Sequence, residues 1–308
     1  MEDYPRTILE LEERFATEEA CLQYLAQLRW PEGFICPRCT NRKAWMTKRG
    51  LYRCSQCDYQ VSVTAGTVFQ DTRKPLRLWF RAMWHITSQK NGISALGLQR
   101  VLGLKRYETV WIWLHKLRSA MVRPGRDRLS GIVEVDETYI GGPKPGKRGR
   151  GAEGKLLVVI AVEDKVTCFG RIRLRRVADA SAKSLVPAVQ ESVEPGSVVR
   201  TDGWNGYEPL SCKEYEHLVV RPSAKVGENL LPLAHRVASL LKRWLSGTHQ
   251  GAVNASHIDY YLDEFTFRFN RRTSLSRGKL FYRLIQQAVT IAPVTGQDIH
   301  GGNPKHKI

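Results

Sequence analysis

The chain has 308 residues, enough for two or three compact domains with a sizeable core. Lys and Arg number 48 against 30 Asp and Glu, a formal net charge of +18, which points to a polyanionic partner, nucleic acid before an acidic membrane surface. No apolar run reaches membrane-spanning length, no amphipathic anchor is evident, and the acidic start Met1-Glu2-Asp3-Tyr4-Pro5 lacks a signal peptide's apolar core; a cytoplasmic, nucleoid-associated protein with reduced cysteines is expected.

Residues 6–29 read as one helix or two short ones, with Thr17 as a cap and Glu18 and Glu19 in the first turn. Pro31-Glu32-Gly33 ends that segment. Next come Cys36-Pro37-Arg38-Cys39 and Cys54-Ser55-Gln56-Cys57, with 14 residues between the pairs. That is two-knuckle zinc spacing, and four thiolates close a tetrahedral site, so the zinc is structural. Residues 44–46, 50–53 and 59–63 read as short strands of this module. Arg38, Arg42, Lys43, Lys48, Arg49 and Arg53 decorate it, either as a DNA contact or as the solvated face of a docking module. Cys21, Cys168 and Cys212 read as small buried residues.

Residues 75–89, 94–102 and 108–122 read as three helices, broken at Asn91-Gly92 and at Gly103-Leu104-Lys105. Val110, Leu114, Leu117 and Met121 form one stripe of the third. A short helix, a Gly turn and a longer helix match a helix-turn-helix. Arg106, Thr109, Ile112, His115 and Lys116 would then lie away from the packed stripe and face a major groove. The competing reading is a small helical bundle joining two domains.

Pro124-Gly125 marks a boundary. Beyond it, strands are expected at 131–140, 156–163, 167–177, 197–202 and 217–220, with a helix at 181–193. Arg171, Arg173 and Arg175 alternate with Ile172 and Leu174, as in a half-buried strand. Helices are expected from Pro232 to about 245, at 254–270 and at 277–290. The polar, Gly-rich tail from Pro293 is expected to be disordered.

The chemistry is expected from Asp136, Asp202, His235 and Lys242. Asp136 closes the apolar run Gly131-Ile132-Val133-Glu134-Val135-Asp136, and Asp202 closes Ser197-Val198-Val199-Arg200-Thr201-Asp202. Carboxylates at the ends of buried strands are costly unless they hold something positive. A pair of divalent cations performing phosphoryl transfer meets that need. His235 and Lys242 lie seven apart, two turns of one helix face, which suits a metal ligand and a cation for a phosphate. Each also has a plainer reading: a strand-end charge, an Asp-Gly turn, a hydrogen-bonded core histidine and a solvated lysine.

These strings resemble ISXO-type insertion-sequence transposases, which carry a zinc ribbon and a DDE-superfamily core. The likeness runs from about Thr17 to about Ala292. It rests on Cys36, Cys39, Cys54 and Cys57; on Val133-Glu134-Val135-Asp136-Glu137-Thr138-Tyr139-Ile140-Gly141-Gly142; and on Thr201-Asp202-Gly203-Trp204. It continues in Leu241-Lys242-Arg243-Trp244-Leu245-Ser246-Gly247-Thr248-His249 and in Tyr261-Leu262-Asp263-Glu264-Phe265-Thr266-Phe267-Arg268-Phe269-Asn270-Arg271-Arg272.

The resemblance implies an α/β, RNase H-like catalytic domain over 126–292, a mixed five-stranded sheet with flanking helices and C-terminal helices. An N-terminal helix and zinc ribbon (1–70) and a helix-turn-helix module (71–125) would precede it, with a disordered tail (293–308) after it. It implies cutting at transposon ends and in-line attack of the freed 3′-hydroxyls on target DNA, with Mg²⁺ or Mn²⁺ held by Asp136, Asp202 and His235. His235 stands where relatives carry Glu or Asn, a substitution that favours softer cations such as Mn²⁺ or Zn²⁺. Glu264 is a candidate for the missing carboxylate.

The expected partner is double-stranded DNA, both terminal inverted repeats and target, gripped by a dimer or larger assembly. The basic loop from Pro143, with Lys144, Lys147, Arg148, Arg150 and Lys155, is expected to hold DNA near the cut. The alternative function is a non-catalytic DNA-binding protein, a repressor or a decayed copy, using the zinc ribbon and helix-turn-helix.

Overall fold

The computed structural model describes residues 2–123, 125–141, 155–166, 168–220, 230–251 and 253–302. The chain divides into two compact units, Met1–Arg123 with Ser274–Ile308, and Pro124–Thr273.

The first unit opens with helices α1 (Ile8–Arg14) and α2 (Glu18–Arg29). Thr17 separates them: its hydroxyl accepts the Ala20 N–H at 3.2 Å and so caps α2. Three short antiparallel strands follow, β1 (Ala44–Met46), β2 (Tyr52–Cys54) and β3 (Gln60–Val61), in that spatial order. Helices α3 (Leu76–Ser88), α4 (Ala95–Leu102) and α5 (Tyr107–Ser119) come next. Ser94 caps α4 by accepting the Gly97 N–H at 3.1 Å. Gly103 ends it at φ 64°, a left-handed conformation cheap only without a Cβ, and the chain turns into α5. Val110, Leu114, Leu117 and Met121 are all buried, as their spacing requires.

The second unit holds β4 (Ile132–Ile140), β5 (Leu156–Asp164), β6 (Phe169–Val177), α6 (Ala182–Ser192), β7 (Val198–Thr201), a 3-10 segment Asn205–Cys212, β8 (Glu216–Val219), α7 (Pro232–Thr248) and α8 (Ile258–Phe269). Among the described residues these strands form one mixed sheet, in the order β6-β5-β4-β7-β8. β4 pairs antiparallel with β5 and parallel with β7, and β8 is parallel to β7. Side chains alternate between two apolar layers. Val133, Val135, Val159 and Val199 pack with α6; Val158, Ile160, Val162 and Ile172 pack with α7 and α8. This is the mixed five-stranded α/β sheet with helices on both faces that an RNase H-like core requires.

Several expectations change. α9 (Arg277–Ala288) belongs to the first unit and not with the sheet: its Phe281 ring meets Phe15, Phe80 and Trp84, with centroids 5.8–6.3 Å away. The described part of the tail expected to be disordered carries a helix, α10 (Gly296–His300), opened by a capping box between Thr295 and Asp298. α10 lies on the α5 face expected to be open. His300 stacks on Trp111 with centroids 5.4 Å apart and bonds Glu108 at 3.0 Å. A Cβ at Gly296 would sit 3.4 Å from Ile112 Cδ1. His115 is buried with Nδ1 at 2.9 Å from the Trp111 carbonyl, and Lys116 is half-buried, its ammonium pushed down by desolvation. Cys21 is buried as expected, but Cys168 and Cys212 are exposed. In β6 the arginine row is half-buried as expected, with Arg171 and Arg175 partly exposed and Arg173 fully buried, donating to the Ile172 and Asp127 carbonyls.

Candidate active site and metal centre

The site grows from one face of β4. Glu134 and Asp136 are two apart and point to the α7 side of the sheet, because Asp136 pairs with Ile160 of that layer. The parallel ladder pairs Glu134 with Arg200. Asp202 is two residues beyond Arg200, as Asp136 is beyond Glu134. The Glu134–Arg200 pair ends the ladder, so Asp202 lies just past β7 at the start of a turn, near enough for its charge to act on Asp136.

α7 brings His235 to this face. Its Nε2 lies 3.2 Å from Asp136 Oδ2, with Asp136 largely buried and the imidazole half-exposed. Desolvation is the largest influence on the Asp136 carboxyl, and the Glu137 and Asp202 charges add to it. Together they outweigh the Glu137 N–H and His235 and push its pKa up to about 6. Asp202 is exposed, and its Oδ1 accepts the Trp204 N–H at 3.0 Å. Lys242 is exposed on α7, two turns beyond His235 and about 10.5 Å along the axis.

Three residues here were not singled out from the sequence. Glu137 faces the α6 side and accepts the hydroxyl hydrogen bond of Tyr207 at 2.9 Å; Tyr207 is fully buried. Glu134 is buried and accepts the N–H groups of Leu233 at 2.8 Å and Ala234 at 3.0 Å. The signal for Glu134 was present, since an acid inside an apolar strand shares the parity of Asp136. Nothing local pointed to Tyr207. Glu264 is fully buried and ion-paired with Arg268 at 2.9 Å, so it is not the missing carboxylate. Lys144, Lys147, Arg148 and Arg150 lie outside the described residues; Lys155 is half-buried.

Oxygen ligands about 2.1 Å from one ion stand about 3 Å apart at right angles, which the Asp136–His235 separation matches. Asp136, Asp202 and His235 are nonetheless not drawn into a tight cage. Among the described residues, the four cysteines are the one group of three or more such side chains whose donor atoms all lie within 4.8 Å of one another.

That cysteine cluster fits a tetrahedral ion. Cys36 and Cys57 Sγ are 3.6 Å apart, and Cys39 and Cys54 Sγ are 3.5 Å apart, against an edge of about 3.8 Å for a zinc–thiolate tetrahedron. Burial raises the Cys54 thiol, but N–H groups from Asn41, Gln56 and Cys57 outweigh it and hold it at about 6, which favours the thiolate a metal needs. Phe34 stacks on Tyr52 at 5.5 Å and Trp30 closes on both, giving the module a small aromatic core.

Two family descriptions match this chain, the ISXO2-like transposase domain over residues 128–270 and the transposase zinc-ribbon domain over residues 16–60. A protein of the transposable element ISH50 from Halobacterium salinarum is 30% identical over 279 residues, covering 82% of this chain and 91% of the relative. The chain belongs to the ISXO2-like transposase family. An uncharacterized transposase-like protein from Haemophilus influenzae is 24% identical over 114 residues, 36% of this chain and 89% of the relative. The transposase domain spans β4 through α8, so it contains Asp136, Asp202, His235 and Lys242. The zinc-ribbon match covers all four cysteines, and a transposase of this kind binds DNA. Among the described residues, no helix is long and apolar enough to cross a membrane.

Proposed function

We propose that this transposase cuts the ends of an insertion sequence and joins the freed 3′-hydroxyls to target DNA at one phosphoryl-transfer site, formed by Asp136, Asp202 and His235. The observation that carries this reading is the contact of His235 with a largely buried Asp136 that also feels the charge of Asp202, just beyond the end of β7. A carboxyl pushed up to about 6 with a second acid beside it is a group short of positive charge. Mg²⁺ or Mn²⁺ held by these three side chains would neutralise that charge and polarise the scissile phosphate.

The chain's own residues supply the rest. Asp136 is fixed by its strand and Asp202 by its turn; a bound cation would draw their oxygens together. His235 adds a nitrogen donor, which favours Mn²⁺ over Mg²⁺ relative to a carboxylate. Lys242 offers an ammonium to a DNA phosphate two turns along α7. Arg106, exposed at the start of α5, and Thr109, together with Lys144, Lys147, Arg148 and Arg150, are the proposed contacts to terminal-repeat and target DNA; Lys116, half-buried and desolvated, would reach DNA only if α10 moved off α5. Joining two ends requires at least two copies, so a dimer or larger assembly forms on DNA.

The test is strand joining by purified protein on oligonucleotides carrying the element's terminal repeats. Joined product is expected with Mn²⁺ and less with Mg²⁺, and none from Asp136→Asn despite equal end binding. Joining by Asp136→Asn would show the assignment to be wrong. His235 in place of a carboxylate favours a second reading, a DNA-binding protein that no longer cuts. That reading requires end binding without product under either metal, and activity gained by His235→Glu.

A further inference from the structure

α7 starts without a cap of its own. Its N-cap residue Leu231 has no side-chain acceptor, and Pro232 at the first helical position has no N–H. The first available donors are the N–H groups of Leu233 and Ala234, and Glu134 Oε2 takes both, at 2.8 and 3.0 Å. Glu134 is 3% exposed. Arg200 is its ladder partner on β7, and the Asp164 charge also reaches it.

The spacing makes this more than a cap. On β4, Glu134 and Asp136 are next neighbours on one face; on α7, Ala234 and His235 are consecutive. One strand residue holds two helix amides, and the next residue on that face meets the next side chain of the helix, at 3.2 Å. The helix N-terminus favours a negative partner, which suits a buried carboxylate here.

We propose that Glu134 is a positioning residue, whose buried carboxylate locks the first turn of α7 onto β4 and thereby sets the His235 imidazole against Asp136. Its bearing on catalysis rests on the reading of Asp136 and His235 as cation ligands. A merely structural cap would add stability without fixing where the ring stands.

The test compares Glu134→Ala, Glu134→Asp and Glu134→Gln in the full chain. Gln keeps an acceptor oxygen at the same reach, whereas Asp keeps the charge but falls about 1.5 Å short. Two readouts are taken: the nuclear Overhauser effect between the His235 ring and the Asp136 Cβ protons in metal-free protein, and Mn²⁺ affinity. Glu134→Ala and Glu134→Asp are expected to lose the ring contact and to weaken Mn²⁺ binding by about 10- to 100-fold, with Glu134→Gln close to wild type. Should Glu134→Ala fail to fold, Glu134→Asp carries the comparison. Retention of contact and affinity in Glu134→Asp overturns the proposal, as does their loss in Glu134→Gln. A wild-type protein that shows the ring contact but binds no Mn²⁺ sinks the cation-site reading and leaves the positioning role standing.

Discussion

Asp136 concentrates the account at the scale of one residue. Its carboxyl is carried from an ordinary 3.8 to about 6, chiefly by desolvation. That rise corresponds to about 3 kcal/mol at most. Because the folded state binds the proton more tightly, this group's contribution to stability is greatest below pH 3.8 and is lost as pH rises through about 6. Asp136→Asn removes the penalty. At pH 7 without metal it is expected to be more stable than wild type by about 1–3 kcal/mol in urea unfolding, with little difference at pH 4. An equal or less stable variant at pH 7 would count against a carboxylate short of charge. Asp136 and Asp202 stood out in the sequence because each closes an apolar run; Asp136 lies on β4 and Asp202 just past the end of β7. Glu134 and Glu137 were not read, although their parity assigns them to opposite sheet faces. What parity cannot show is the partner: a helix 99 residues later for Glu134 and a tyrosine 70 residues later for Glu137.

Two helices with proline at their starts show the same device at the scale of elements. α3 follows Pro75, which provides no side-chain cap, and the Leu76 N–H is received by the Glu18 carboxylate of α2 at 2.9–3.0 Å. α7 begins at Pro232 and is received by Glu134. In each case an acid from another element replaces the missing local cap, so the start of the helix is also a tertiary contact. Glu18→Ala is expected to cost about 1–2 kcal/mol, read as a lower urea midpoint with unchanged slope. A neutral result would show that water satisfies α3 equally well. Local caps were legible: Thr17 and Ser94 begin α2 and α4 as their residue types suggest. α10 was missed because five residues carry almost no periodicity, although Thr295 and Asp298 have capping-box spacing. Its contact with α5 is long-range, which is why the outer face of α5 looked open from sequence.

For the molecule as a whole, order along the chain gave the zinc module, the helices and the sheet in sequence, but not which core each piece joins. α9 follows the sheet unit in the chain yet packs with α3 through Phe281 and Phe80, since apolar periodicity marks a buried face without naming its partner. The zinc ribbon has only a small aromatic core, so its fold depends on the metal. Chelation is expected to unfold residues 36–61 and to remove protection of their amides from exchange, while the sheet amides of β4 and β5 stay protected. Retained protection across the cysteine module after complete zinc removal would show that its packing suffices. The net charge of +18 makes end binding steeply salt-dependent, so joining assays belong at fixed ionic strength.

The central claim is that Asp136, Asp202 and His235 together hold the cation that serves strand joining. Anomalous diffraction from crystals soaked in Mn²⁺ tests it most directly. The expected result is a peak about 2.1–2.3 Å from oxygens of Asp136 and Asp202 and from His235 Nε2, absent in Asp136→Asn crystals. Mn²⁺ bound elsewhere in a protein that still joins DNA would contradict it.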